Sequence, residues 1–153
     1  MRTTMKIAVS SDEHGHLVQI VLEELRTRGH EVVYYGPDAN GDAFDWPAVT
    51  LQAVEHVTQR DADEAIVMCW TGTGCAIVAN KVAGIRAALC HDAETAKGAR
   101  IWNHANVLAL SLRMTPEAIA REILDSWFST PLSEDAWNLA QIEAVRKIEA
   151  DRK

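Results

Sequence analysis

The chain has 153 residues, 48% of them hydrophobic, which is typical of one globular domain with a sizeable core. Its formal net charge of −7 argues against nucleic acid or an anionic membrane as a partner, because both favour clustered Lys and Arg. No stretch reaches the roughly 18 apolar residues of a membrane-spanning helix, and the early charges do not resemble a signal peptide, so we expect a cytoplasmic protein.

Short β-branched apolar runs alternate with longer helical patterns, as in βαβ units around a parallel sheet. The predicted strands are 6–11, 31–35, 64–69, 85–90 and 106–111. The predicted helices are 16–28, 47–60, 75–82, 92–102, 116–128 and 134–150. Gly29 ends the first helix, and Pro116 opens the fifth. The pattern predicts an α/β fold with five parallel strands, in one domain over residues 1–153.

Most side chains of chemical interest directly follow predicted strands. Ligands of open parallel sheets bind where the strands end at their carboxyl edges. Residues 12–14 follow the first strand, 69–74 the third and 91–92 the fourth, whereas 102–104 come just before the fifth strand. We therefore expect the functional site at the carboxyl edge of the sheet.

The segment CWTGTGC, residues 69–75, joins the third strand to a helix. Its glycines let backbone N–H groups approach an anion, such as a phosphate or an enediolate oxygen. Cys69 faces the start of that helix, an environment that lowers the pKa of a thiol and makes it a base or a nucleophile. The alternatives are a purely structural turn and an inert buried cysteine. Cys75 lies in the same field, and Cys90 is predicted to be in the core.

The cysteines and histidines do not form a recognisable ligand set. Three cysteines in apolar segments, without a Cys-x-x-Cys pair, predict neither a disulfide framework nor a metal site. His14 and His104 can carry protons near neutral pH, and the alternative is a surface or helix-capping role.

Four segments, in this order, resemble the ribose-5-phosphate isomerase B and galactose-6-phosphate isomerase family: KIAVSSDEHG, DWP, CWTGTGCAIVANKVAGIRAALCHDAETA and ARIWNHANVLALSLR. The resemblance covers residues 5–130, and its most specific part is ANKVAGIRAALCHD at 79–92. It implies a Rossmann-like αβα sandwich and isomerisation of a sugar or sugar phosphate without metal or other cofactor. It also implies a homodimer, or a dimer of dimers, with active sites at the subunit interface.

The resemblance also implies roles for individual residues. Cys69 matches the base that moves a proton between C1 and C2 through an enediolate, whereas other members carry a glutamate base where Cys75 stands. Arg113 matches an arginine of the phosphate site. The candidate catalytic residues are Cys69, Thr71, Asp12 and His104. The candidate substrate-binding residues are Glu13, His14, Trp46, Trp70, Gly72, Thr73, Gly74, Trp102, Asn103 and Arg113.

The chain departs from the family pattern at several of these positions. Glu13 stands where a histidine is usual, and Trp46 and Trp70 replace a tyrosine and a glycine. Trp102 replaces the histidine credited with opening the sugar ring. We expect the three tryptophans to line the site near Cys69, one of them contributed across the dimer interface, the alternative being ordinary core packing.

These departures bear on the substrate. An indole N–H only donates a hydrogen bond, so Trp102 cannot act as a general acid or base. An open-chain sugar, such as a tetrose phosphate, needs no ring opening. The arginine-rich C-terminal segment of the family is absent here, which fits a non-phosphorylated sugar unless Arg146 or Lys147 substitutes.

The C-terminal helix, 134–150, carries an apolar stripe of Trp137, Ile142, Val145 and Ile148. We expect this helix to pack on a partner subunit, the alternative being its own domain. The alternative function is a sugar-binding or regulatory relative with altered catalysis. The missing ring-opening histidine favours that alternative, and the retained Cys69 favours an enzyme.

Overall fold

The computed structural model describes residues 4–152 and confirms an α/β fold with one parallel sheet. The strands are β1 (Lys6–Ser11), β2 (Glu31–Tyr35), β3 (Glu64–Cys69), β4 (Ala87–Leu89) and β5 (Val107–Ser111). The helices are α1 (His16–Thr27), α2 (Trp46–Thr58), α3 (Thr73–Ala79), α4 (Ala93–Asn103), α5 (Glu117–Ser129) and α6 (Ala136–Ala150). The strand order in the sheet is β2-β1-β3-β5-β4.

Helices cover both faces of the sheet, so the architecture is an αβα sandwich. One face packs against α1, α4 and α5, and the other against α2 and α3. The central strands are apolar on both faces, as parallel strands buried between helices require. Successive side chains alternate between the faces, so Ile66 and Met68 join the first cluster, while Ala65 and Val67 join the second.

The fourth strand and third helix are shorter than the sequence predicts. The strand spans 87–89 instead of 85–90, and α3 ends at Ala79 instead of 82. The Asn80 side chain explains the helix end, because its amide accepts from the Ala87 N–H and donates to the Ala87 carbonyl, both at 2.9 Å. Asn80 thus pairs with the edge strand as a neighbouring strand would, and fixes α3 beside β4.

A buried ion pair lies at the amino edge of the sheet. Arg100 of α4 places its Nη1 2.8 Å from Oε2 of Glu64, the first residue of β3. Trp127 of α5 donates from Nε1 to the other carboxylate oxygen at 2.8 Å, and the Arg100 guanidinium stacks 4.7 Å from the indole centroid. Burial raises the pKa of Glu64, and the Arg100 charge opposes that shift. The cluster joins one strand to two helices, and no sequence pattern predicts it.

The C-terminal helix α6 contacts its own domain through a narrow face. Asn138 and Ile142 are buried, and the Asn138 amide donates to the Ile101 carbonyl at 3.1 Å. The apolar residues on the rest of the helix are exposed, namely Trp137 at 70%, Leu139 at 46%, Val145 at 47% and Ile148 at 61%. The predicted stripe is therefore divided, with only Ile142 packed inside.

Among residues 4–152, no helix is both long and apolar enough to cross a membrane.

Candidate active site

The carboxyl edge of the sheet brings together the residues that follow β1, β3 and β5. Ser11 aligns with Met68, and Cys69 aligns with Ser111, so Asp12, Cys69 and Arg113 leave the sheet at one edge. The segments after β3 and β5 remain hydrogen-bonded past the strand ends, since Arg113 donates its backbone N–H to the Trp70 carbonyl at 3.1 Å. The structure thus brings these three candidate site residues to one edge of the sheet.

The turn after Cys69 depends on two glycines. Gly72 has a φ of +76°, and a Cβ there would lie 2.5 Å from Cδ1 of Leu89 and 3.0 Å from the Ser111 nitrogen. A Cβ on Gly74 would lie 3.1 Å from the Trp46 ring, so this tryptophan packs on the turn. Because neither glycine has a side chain, the turn fits between the sheet and α2.

The turn favours the ionised form of Cys69. The groups responsible are the Cys75 side chain and the backbone N–H groups of Cys75 and Gly72. These donors, led by the Cys75 side chain, lower the pKa of Cys69 to about 6, although burial and the Asp12 charge oppose them. Cys69 is therefore the thiolate of this site near neutral pH.

The other two thiols remain protonated. Hydrogen bonding to Cys69 and burial raise the pKa of Cys75, whose Sγ lies 3.3 Å from the Gly72 carbonyl oxygen. Burial and the Asp92 charge raise the pKa of Cys90 to about 12, and this side chain is fully buried, as predicted. Only Cys69 among the three cysteines is suited to accept a proton at neutral pH.

Asp12 supplies a polar group with free bonding capacity beside Cys69. Its Oδ1 is buried without a hydrogen-bond partner among the described residues. Burial, followed by the neighbouring Glu13 charge, raises the pKa of Asp12. An unpaired buried acceptor is costly, so a substrate hydroxyl that donates to this oxygen would be bound favourably.

The surroundings of Cys69 are open and partly aromatic. The Thr71 and Thr73 hydroxyls hydrogen-bond each other at 2.7 Å, and both residues are exposed. A cavity of about 230 Å³ lies between α1 and α5, and Glu13, His14 and Trp70 are among its lining residues. These predicted substrate-binding side chains thus lie at the same edge as the thiol.

Residues 102–104 lie elsewhere in the protomer. Because α4 starts at the carboxyl edge and runs back, its last residues precede β5 at the amino edge. Trp102 packs on Gly98 of its own helix and is 61% exposed, and Asn103 is also exposed. His104 has a φ of +47°, ends α4 and donates from Nε2 to the Ser133 carbonyl at 2.8 Å. Within one chain, only Trp46 and Trp70 of the three tryptophans reach the Cys69 turn.

The sequence pattern predicts Cys75 near the start of a helix but does not reveal its effect on the pKa of Cys69. What the sequence does show is two cysteines flanking a turn that contains two glycines. Across the described part of the chain, no group of three His, Cys, Asp or Glu side chains is arranged to hold a metal ion.

Comparisons with known proteins agree with this geometry. Residues 7–145 match the family model described as Ribose/Galactose Isomerase. The chain is 33% identical over 148 residues to ribose-5-phosphate isomerase B of Escherichia coli, covering 96% of this chain and 98% of that protein. It is 32% identical over 150 residues to D-erythrulose-4-phosphate isomerase of Pectobacterium atrosepticum, covering 97% and 98%. The structure of Clostridium thermocellum ribose-5-phosphate isomerase B has a TM-score of 0.89 and 35% identity, covering 95% of this chain and 98% of that chain.

Gly72→Ala tests the packing of the turn, with Gly84→Ala as its control. Gly84 has a similar φ of +86°, but no atom lies within 4 Å of its Cβ position. The control should lower the free energy of unfolding by about 1–2 kcal/mol through backbone strain alone. Gly72→Ala should lower the free energy of unfolding by roughly a further 1–3 kcal/mol, because its Cβ would overlap Leu89 and β5. Urea denaturation measures both values, and equal losses would contradict the close fit of the turn.

Proposed function

We propose that this chain, which belongs to the ribose/galactose isomerase family and is an aldose–ketose isomerase, acts on an open-chain sugar phosphate. The observation that supports this site most strongly is the position of Cys69 at the carboxyl edge, where the Gly72 turn follows it and the buried Oδ1 of Asp12 has no hydrogen-bond partner among the described residues. Arg113 is exposed at the same edge and is our candidate for the phosphate. The three free cysteines support a reducing, cytoplasmic location.

In the proposed reaction, Cys69 removes the proton from C2 of the aldose. The C–H electron pair then forms the C1–C2 double bond of an enediolate, and the negative charge moves to O1. The O2 proton passes to O1, and Cys69 returns its own proton to C1, which gives the ketose. We propose that Asp12 accepts from the substrate hydroxyls through its unpaired oxygen, and that the exposed Thr71 and Thr73 hydroxyls donate to the developing charge.

We propose a tetrose 4-phosphate as the substrate. Its terminal oxygen carries the phosphate and cannot close a five-membered ring, so no residue is needed to open one. This requirement fits Trp102, an indole that cannot transfer a proton, at the position of the ring-opening histidine. The similarity to a D-erythrulose-4-phosphate isomerase supports the same choice. Ribose 5-phosphate is the second candidate, because other relatives are named for it.

Proton exchange at C1 and C2, followed by NMR in D₂O, tests the substrate. D-erythrose 4-phosphate and D-erythrulose 4-phosphate should exchange at least about tenfold faster than D-ribose 5-phosphate, since a missing general acid costs roughly 10²–10⁴-fold. Trp102→His should speed the pentose reaction more than the tetrose reaction. Faster exchange with the pentose would reject the tetrose proposal, and equal rates with unphosphorylated erythrulose would reject the need for a phosphate.

Cys69→Ala tests the base. We expect C1/C2 exchange to fall on the order of 10²–10⁴-fold, the loss typical of a positioned general base. In the unmodified protein, kcat/KM should fall as the pH drops below about 6, because the reactive form is the thiolate and the pKa of Cys69 is about 6. Cys90→Ala is the control and should keep both the rate and the pH profile. Retention of exchange by folded Cys69→Ala would show that Cys69 is not the base.

We further propose that two copies form a homodimer and share their sites. The exposed apolar side chains of α6 offer a surface for a second copy. Trp102 and Asn103 are exposed at the edge opposite Cys69, so they can contribute to an active site only across subunits. The proposed roles of Trp102, Asn103 and His104 therefore require a partner subunit.

Mixing two inactive variants tests the shared site. Cys69→Ala and Asn103→Ala should each be inactive alone. Each heterodimer would contain one site with both residues intact, so random exchange of subunits should restore about a quarter of the original activity. Asn103→Ala mixed with itself is the control. Failure to recover activity, despite subunit exchange seen by native mass spectrometry, would contradict the shared site, and a monomer at micromolar concentration would contradict the dimer.

A further inference from the structure

His104 ends α4 in a left-handed backbone conformation, with a φ of +47° and a ψ of +41°. This conformation is unfavourable for a residue that carries a Cβ, so other contacts must stabilise it here. Directly before His104, Asn103 is the last residue of the helix and is exposed. The conformation of His104 therefore determines where α4 stops and how Asn103 is presented.

The His104 ring is hydrogen-bonded within its own chain. Its Nε2 lies 2.8 Å from the carbonyl oxygen of Ser133, in the segment that precedes α6. A carbonyl oxygen only accepts, so Nε2 carries a hydrogen and donates it. The Nδ2 of Asn138, a buried residue of α6, lies 3.4 Å from the same ring nitrogen. His104 thus joins the end of α4 to the start of α6, and its Nε2 proton is bonded inside the chain.

Two further hydrogen bonds hold the backbone on either side of Asn103. The Asn138 amide donates to the Ile101 carbonyl at 3.1 Å, and the Arg86 Nε donates to the His104 carbonyl at 3.0 Å. The segment that presents Asn103 is therefore fixed by side chains from two other parts of the chain. His104 contributes to this junction with both its ring and its carbonyl oxygen.

We propose that His104 is a positioning residue, whose hydrogen bond to the Ser133 carbonyl holds the end of α4 so that Asn103 is directed at the substrate in the partner subunit's site. This inference rests on the shared site proposed above. It gives His104 a role that acts through Asn103, in place of proton transfer by its own ring.

The paired variants His104→Gln and His104→Met test this role, because both side chains are unbranched and similar in length. Gln retains an N–H donor for the Ser133 carbonyl but cannot transfer a proton near neutral pH, whereas Met lacks the donor. Rates of C1/C2 exchange are measured with D-erythrulose 4-phosphate and with D-ribose 5-phosphate. His104→Gln should stay within about threefold of the unmodified protein at each pH. His104→Met should lose roughly 5- to 50-fold in kcat/KM, mainly through a higher KM, because a misplaced Asn103 binds the substrate less well.

Three results would contradict the proposal. Equal losses of about 10²–10⁴-fold in both variants would show that His104 itself transfers a proton. Full activity of folded His104→Met would show that the hydrogen bond serves stability alone. If His104→Met does not fold, a loss of more than about tenfold in His104→Gln counts against the role, because the donor is still present.

A mixed dimer separates positioning from a general loss of structure. When Cys69→Ala and Asn103→Ala subunits are mixed, the one complete site takes Asn103 from the first variant and Cys69 from the second. Adding His104→Met to the Cys69→Ala chain, which provides Asn103, should lower the recovered activity by roughly 5- to 50-fold. The same substitution on the Asn103→Ala chain is the matched control, and the recovered activity should stay within about twofold.

Equal losses from both placements would overturn the proposal, because damage to the fold does not depend on which active residue the chain provides. Unchanged recovery with both placements would overturn it as well. If the starting pair recovers no activity despite subunit exchange, the shared site fails and this inference fails with it. Recovery by the starting pair without an effect of placement rejects this inference alone.

Discussion

The candidate site depends on the close contact between the left-handed turn at Gly72 and the sheet. The turn redirects the chain directly after β3, so that α3 begins at Thr73, close to Cys69, and the turn lowers the pKa of Cys69. This geometry requires a residue without a side chain, because Leu89 and the backbone of β5 occupy the space beside Gly72. The position of Cys69 relative to the start of α3 therefore depends on one steric constraint.

The fold could be predicted from the sequence because it depends on local patterns. Parallel strands buried on both faces read as short apolar runs, and amphipathic helices separate them. The observed helices and strands differ from the predicted ones at their ends, where long-range contacts determine the boundary residues. Asn80 ends α3 by pairing with Ala87 of the edge strand, and this contact has no signature in the periodicity of either segment.

The candidate site was predictable only in part. Topology places the residues after β1, β3 and β5 at one edge, so Asp12, Cys69 and Arg113 follow from the sequence. Trp102 precedes a strand, and in one protomer it lies at the other edge, so its link to Cys69 came from the family resemblance alone. The effect of Cys75 on the pKa of Cys69 could not be predicted, because it depends on how the turn folds, which residue spacing does not reveal.

The buried cluster of Glu64, Arg100 and Trp127 has a consequence for subunit association. Arg100 anchors the last turns of α4 to β3 and also donates to the Ala105 carbonyl at 2.6 Å. Trp102 and Asn103 therefore project from a helix end that is held by contacts within the same chain. In the proposed dimer, association would resemble the docking of two rigid bodies and lose little backbone entropy. A subunit separated by dilution would keep its fold and its Cys69 thiolate, and would lack only the side chains that the other copy provides.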